Sequence, residues 1–213
     1  MSDIAVDQVG HADHDHDHEP YPSLTTNTAT GISNAKLGMW IFLGSECLLF
    51  GALISTYLLY HGRALEGPTP IDVYNIPFTS VSTFVLLMSS LTMVLAVSAA
   101  HRHDESKMRL WLASTAVLGA SFIAGQIYEF AYMYSEGLGY STNIFGSAFY
   151  SLTGFHGVHV TIGIIMLVTA LVMSFRGKFP TAKAEAIEVI GLYWHFVDVV
   201  WIVIFSVVYL IHK

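Results

Sequence analysis

Five runs of apolar residues, at roughly 37–60, 78–100, 110–134, 146–175 and 187–211, leave this chain few ways to fold. Each reaches the ~20 residues that a helix needs to cross ~30 Å of hydrocarbon. Inside a bilayer every backbone N–H and C=O must be paired within the protein, and a helix does this within one segment. The six prolines, Pro20, Pro22, Pro68, Pro70, Pro77 and Pro180, all lie outside these runs or at their rims. No broken, transporter-type helix is therefore expected. Composition agrees: 54% of the chain is hydrophobic and 12% charged, about half the charge of a soluble domain. The predicted fold is an all-α integral membrane protein with five transmembrane helices.

The basic residues give the chain a direction. Lys36, Arg102, Lys107, Arg109, Arg176, Lys178 and Lys183 fall on one side of the predicted spans, and only Arg63 and Lys213 on the other. By the positive-inside rule the N-terminus is expected in the cytoplasm and the C-terminus outside. The connections "HGRALEGPTPIDVYN" and "SEGLGYSTN" then face outward, rich in the glycine, proline and polar residues that turns use. Residues 1–35 read as a disordered, His/Asp-rich tail before a membrane domain at 36–213. Four histidines alternate with acids in "HADHDHDHE". They could collect divalent metal, but a flexible segment offers no preformed geometry, so the tail reads as a solvated extension. The lone cysteine, Cys47, excludes an internal disulfide and any cysteine-built metal motif. With no basic patch, no nucleic-acid partner is expected.

Ionisable side chains are costly within a bilayer and face protein or a polar cavity. Here they are Glu46, Glu129, His156, His159, His195 and Asp198. Counting at 1.5 Å per residue puts all but Glu129 near mid-membrane. Glu129 sits nearer the outer rim, with Gln126 one turn earlier on the same face. Glu46 is expected to form a hydrogen bond within the chain or to a lipid headgroup. In "YWHFVDVVW", Trp194, Asp198, Trp201 and Phe205 form one helical stripe that reads as packing surface. His195 and Asp198, at i and i+3, are expected to satisfy each other.

The pair His156 and His159 in "LTGFHGVHVTIG" invites a metal reading. Carboxylate-bridged di-iron bundles use Glu-x-x-His on two helices, and no span contains that motif. Gly154, Gly157 and Gly163 surround the two imidazoles and suggest close helix contact. A structural, hydrogen-bonding role is the expectation, with no metal and no catalytic residue on this chain.

The segments "KLGMWIFLGSECLLFGAL", "GQIYEF", "GSAFYSLTGFHGVHVTIG" and "YWHFVDVVWIVIFSVVYLI" resemble subunit III of the haem–copper terminal oxidases, the cytochrome c oxidase family, over about residues 36–213. The likeness is to the short, five-helix bacterial type. It implies a non-redox core subunit in the bacterial plasma membrane, packed beside subunits I and II, which carry the haem and copper. It also implies bound phospholipid and a role in sustaining proton uptake by the proton-pumping, oxygen-reducing subunit. The family's membrane-buried glutamate matches Glu46, and its other polar positions match Glu129, His156, His159, His195 and Asp198. Glu46 and Phe155 point to the cytochrome c branch, while "GPTPIDVYNIPF" would suit a quinol-oxidizing member.

Two other classes compete. A stand-alone transporter or proton channel would use the mid-membrane carboxylates, but there is no internal repeat and no span polar from end to end. A membrane di-metal enzyme is disfavoured by the ligand pattern.

Overall fold

The computed structural model describes residues 32–61, 76–177 and 183–210. Most of the tail, and Arg63, Lys178 and Lys213, lie outside the described residues. Five helices follow in order: α1 (Asn34–Tyr60), α2 (Ile76–His101), α3 (Glu105–Ser135), α4 (Ile144–Phe175) and α5 (Lys183–Phe205). One π-helical turn, Ser206–Leu210, continues α5. All five helices are long and apolar enough to cross a membrane. The helices outrun the apolar runs at several ends, because polar residues there cap them.

Between α2 and α3 the chain reverses over three residues. His103 takes φ 56°, and Asp104 caps α3 by accepting the Lys107 backbone N–H at 3.1 Å. The connection from α3 to α4 is held by its own polar groups. Gly137 turns at φ 87°, and Thr142 Oγ1 accepts from Gly139 N at 2.8 Å while donating to Gly137 O at 3.1 Å. Asn143 then caps α4 through Gly146 N at 2.6 Å. At the other end of α4, Arg109 donates to Ser174 Oγ and Ser174 O, both at 2.8 Å. A cation there satisfies the terminal carbonyls of the helix.

Helix α2 packs on α3 and α5, and α4 packs on the same two, closing a ring of four. At its middle the Trp194 ring lies between two glycines. A Cβ on Gly119 would stand 2.5 Å from Trp194 Cη2, and one on Gly163 2.8 Å from Trp194 Cε3. The glycines let α3 and α4 close on an indole with no side chain between, the use of small residues expected in a membrane. Helix α1 stands outside this ring. It buries Leu43, Phe50 and Tyr57, spaced by seven, so it meets the ring along a single seam. At its N-terminal end Lys36 pairs with Glu188 of α5, which His101 of α2 also meets.

Candidate functional site: a polar layer at mid-membrane

Polar residues gather near the middles of three helices. Glu46 is one residue from the middle of α1 (Asn34–Tyr60), and His159 is at the middle of α4 (Ile144–Phe175). His195 and Asp198 bracket the middle of the span Ala184–Leu210. Their pairing differs in part from expectation.

His159 joins α4 to α1. Its Nδ1 lies 2.7 Å from the Phe155 carbonyl oxygen, which can only accept, so Nδ1 carries a hydrogen. Its Nε2 lies 3.0 Å from Glu46 Oε2. One hydrogen thus lies between Nε2 and Oε2. Phe50 packs edge-on against the His159 ring at 5.0 Å, and Tyr193 donates to the His159 carbonyl at 3.0 Å. This is the internal hydrogen bond expected of Glu46.

His156, one turn before, does not join it. It is fully buried, stacked on Trp201 at 4.8 Å with Phe122 edge-on at 6.0 Å. Neither ring nitrogen has a hydrogen-bond partner among the described residues. The two histidines are three residues apart, yet they serve different neighbours.

His195 and Asp198 do not satisfy each other, contrary to the expectation from their spacing. His195 Nδ1 sits 2.6 Å from Ser90 Oγ of α2. The Ser90 hydroxyl also faces the Asp198 carboxyl, but neither carboxyl oxygen completes a hydrogen bond among the described residues. The reason lies in the antiparallel register of α2 and α5. Thr83 and Ser89 accept from Trp201 Nε1 and Trp194 Nε1, both at 3.0 Å, and the same ladder delivers Ser90 to His195. Trp194, Asp198 and Trp201 are buried, so the aromatic stripe is packing surface, as its periodicity implied.

Glu129 is buried nearer the helix ends, where Thr79 Oγ1 donates to it at 2.7 Å and Tyr209 OH at 3.3 Å. The π-helical turn places Tyr209 there, beyond the end of regular α5. Gln126 is on the same helix but turns to α4, its Nε2 donating to Thr153 O at 2.8 Å. Gly157 makes room for its amide, since a Cβ there would stand 2.9 Å from Gln126 Oε1.

The hydroxyls Thr79, Thr83, Ser89 and Ser90, and Tyr209, were not among the candidate residues. Serine and threonine are common in spans, where they bond to their own helix. Only their match in depth to an indole or imidazole on a neighbouring span could have singled them out. No cluster of three or more His, Cys, Asp or Glu side chains suited to a metal occurs among the described residues.

A helical chain with five candidate spans, whose polar groups bridge helices, is a polytopic membrane protein. Comparison with known proteins identifies the kind. The model of the family described as cytochrome c oxidase subunit III matches residues 22–212. Cytochrome c oxidase subunit 3 of Bacillus sp. (strain PS3) is 39% identical over 201 residues, covering 94% of this chain and 97% of the relative. The protein of the same name from Alkalihalophilus pseudofirmus is 42% identical over 178 residues, 83% of this chain and 86% of the relative. Cytochrome bo(3) ubiquinol oxidase subunit 3 of Pseudomonas putida is 40% identical over 176 residues, 82% and 84% of the two chains. The chain belongs to the cytochrome c oxidase subunit III family. It is a third subunit of a haem–copper terminal oxidase.

Proposed function

We propose that this chain is the non-redox subunit III of a plasma-membrane respiratory oxidase that takes electrons from cytochrome c. It packs beside subunits I and II, which hold the haem and copper, reduce oxygen to water and move protons. Its N-terminus faces the cytoplasm, the side on which Lys36, Arg102, Lys107 and Arg109 gather. Residues 1–35 are a separate tail, and 36–213 form the membrane domain. Glu46, Glu129, His156, His159, His195 and Asp198 orient helices and none is catalytic. One observation carries this reading: the groups that could ligate a metal near mid-span are divided among Glu46–His159, the aromatic box of His156, Ser90–His195 and a separate Asp198.

The chain also binds phospholipid. Outside the four-helix ring, α1 and α4 border a cleft of about 210 Å³ that includes the hydroxyls of Thr56, Tyr60, Ser147 and Ser151. Two apolar grooves suit acyl chains, one of about 310 Å³ beside Gly154 and Gly157 and one of about 290 Å³ beside Met166 and Ile190. Lipid there sustains the complex during turnover. A quinol donor is the second reading, favoured by the likeness to a ubiquinol oxidase subunit. The test is gentle purification through a tag on this chain, followed by an absorption spectrum. Co-purifying haem bands support the assignment, and a colourless chain without companion subunits refutes it. Reduction of that haem by cytochrome c, and not by quinol, supports the first donor.

A further inference from the structure

The side-chain amide of Gln126 is satisfied at one end only. Its Nε2 donates to Thr153 O at 2.8 Å, and a carbonyl oxygen can only accept, so the orientation of the amide is fixed. Its Oε1 has no hydrogen-bond partner among the described residues, although Gln126 is only 7% exposed. A Cβ on Gly157 would stand 2.9 Å from Oε1 and 3.5 Å from Nε2, so the oxygen is the end that faces this glycine. Gln126 and Gly157 both line the groove of about 310 Å³ between α3 and α4. Thr161, the other polar side chain of the groove, already donates to Gly157 O at 2.8 Å. Gln126 lies six residues beyond Ala120, the middle of α3 (Glu105–Ser135). That is about 9 Å along the axis, within the ~30 Å of hydrocarbon. Acyl chains bring no donor to that depth, and a buried acceptor left unpaired is costly.

We propose that this groove binds a lipid-soluble phenol, a class that includes hydroquinones, whose hydroxyl donates to Gln126 Oε1. The floor suits a flat ring. Gly154 and Gly157 are one turn apart, and a Cβ on Gly154 would meet nothing within 4 Å, so no side chain holds a ring off the helix there. Phe130 adds an aromatic wall, and Ile123 and Val158 are placed to meet an alkyl substituent. The volume is at the small end of the range for small-molecule sites. A phenolic hydroxyl is a single heavy atom at the edge of the ring, the slimmest donor that could pass the two glycines to reach the oxygen. The site deepens the reading of this groove as lipid-binding and rests on it: an acyl chain would fill the same space but leave Oε1 unpaired.

The experiment uses the intact oxidase, purified through a tag on this chain and held in nanodiscs of its own lipid. The probes are a decyl-substituted hydroxybenzophenone and its methyl ether, of which the first alone has a donor. Adducts are located by mass spectrometry after illumination. The phenol should label groove residues about five to ten times more than the ether. Of two competitors, decylphenol and decylhydroquinone, the one that suppresses labelling at the lower concentration identifies the kind of phenol, and suppression by neither overturns the site. Equal labelling by phenol and ether overturns the hydroxyl site and leaves the groove to acyl chains. Labelling of the groove by neither probe overturns both readings. Gln126→Leu should bring the two probes level, and a preference for the phenol that survives it contradicts the role of Oε1. Where that variant fails to assemble, Val158→Trp, at a position 56% exposed, fills the groove from outside. It should abolish labelling by the phenol, and labelling that persists there refutes the site.

Discussion

His159 Nε2 and Glu46 Oε2 lie 3.0 Å apart across the seam between α4 and α1. It is a part-buried contact between residues far apart in sequence, and it ties the outlying helix to the four-helix ring near the middles of α1 and α4. Since Nδ1 must donate to the Phe155 carbonyl, the bond needs one proton between the two side chains and no more. Glu46→Gln keeps that arrangement, because the new amide N–H donates to Nε2. The complex should assemble normally and retain most oxygen reduction. Glu46→Ala leaves Nε2 unpaired in an apolar seam and should cost about 1–3 kcal/mol. Thermal melts of the two variant complexes check the difference, and equal melting temperatures would contradict it.

The glycines around Trp194 give an opposed pair of outcomes. Gly119→Ala and Gly163→Ala each push a methyl into the indole, at 2.5 and 2.8 Å. The ring cannot retreat, because the other glycine's helix lies behind it. Each change should destabilise by about 1–3 kcal/mol through overpacking. Gly44→Ala meets nothing within 4 Å. It should be neutral or stabilise α1 by up to about 1 kcal/mol.

His156 tests whether the imidazole is tolerated or needed. Both nitrogens are buried without a partner among the described residues, so an apolar replacement removes an unsatisfied group. His156→Leu should match or exceed wild-type melting temperature, and haem and copper per complex should stay unchanged. Loss of stoichiometric metal would overturn the packing role.

Asp104 supplies the pH-dependent element. The Lys107 backbone N–H, followed by the Lys107 side chain, holds its carboxyl below the usual value of 3.8. A lowered folded-state value means that the cap stabilises α3 above the unfolded value and that this is lost as pH falls through the folded one. The advantage of wild type over Asp104→Asn should be constant at neutral pH and fade below about pH 4. Melting temperatures of both proteins between pH 3 and pH 7 measure it, and an advantage that persists in acid would exclude the cap as its source.

The spans could be read from the chain because a bilayer imposes one length and one polarity on every helix. Glu46, His159, His195 and Asp198 each lie within two residues of the middle of their helix or span. Pairing was another matter. Spacing on one helix suggested His195 with Asp198, but His195 is claimed across the α2–α5 contact by Ser90, and Asp198 completes no hydrogen bond among the described residues. Glu46 with His159 is likewise a contact between distant segments, and helix periodicity does not say which helix lies next to which. The stripe Trp194–Asp198–Trp201 was visible, but not the glycine Gly119 that admits Trp194, since it is one small residue in a long apolar run.

The most direct test of a metal-free packing role releases this chain from the purified oxidase with a harsher detergent and assays haem, iron and copper in both fractions. With Glu46 paired to His159, His195 held by Ser90 and His156 enclosed by Trp201 and Phe122, the released chain should be colourless and free of all three. The remaining subunits should keep their full complement of haem and copper. Stoichiometric haem or copper travelling with the released chain would contradict the assignment.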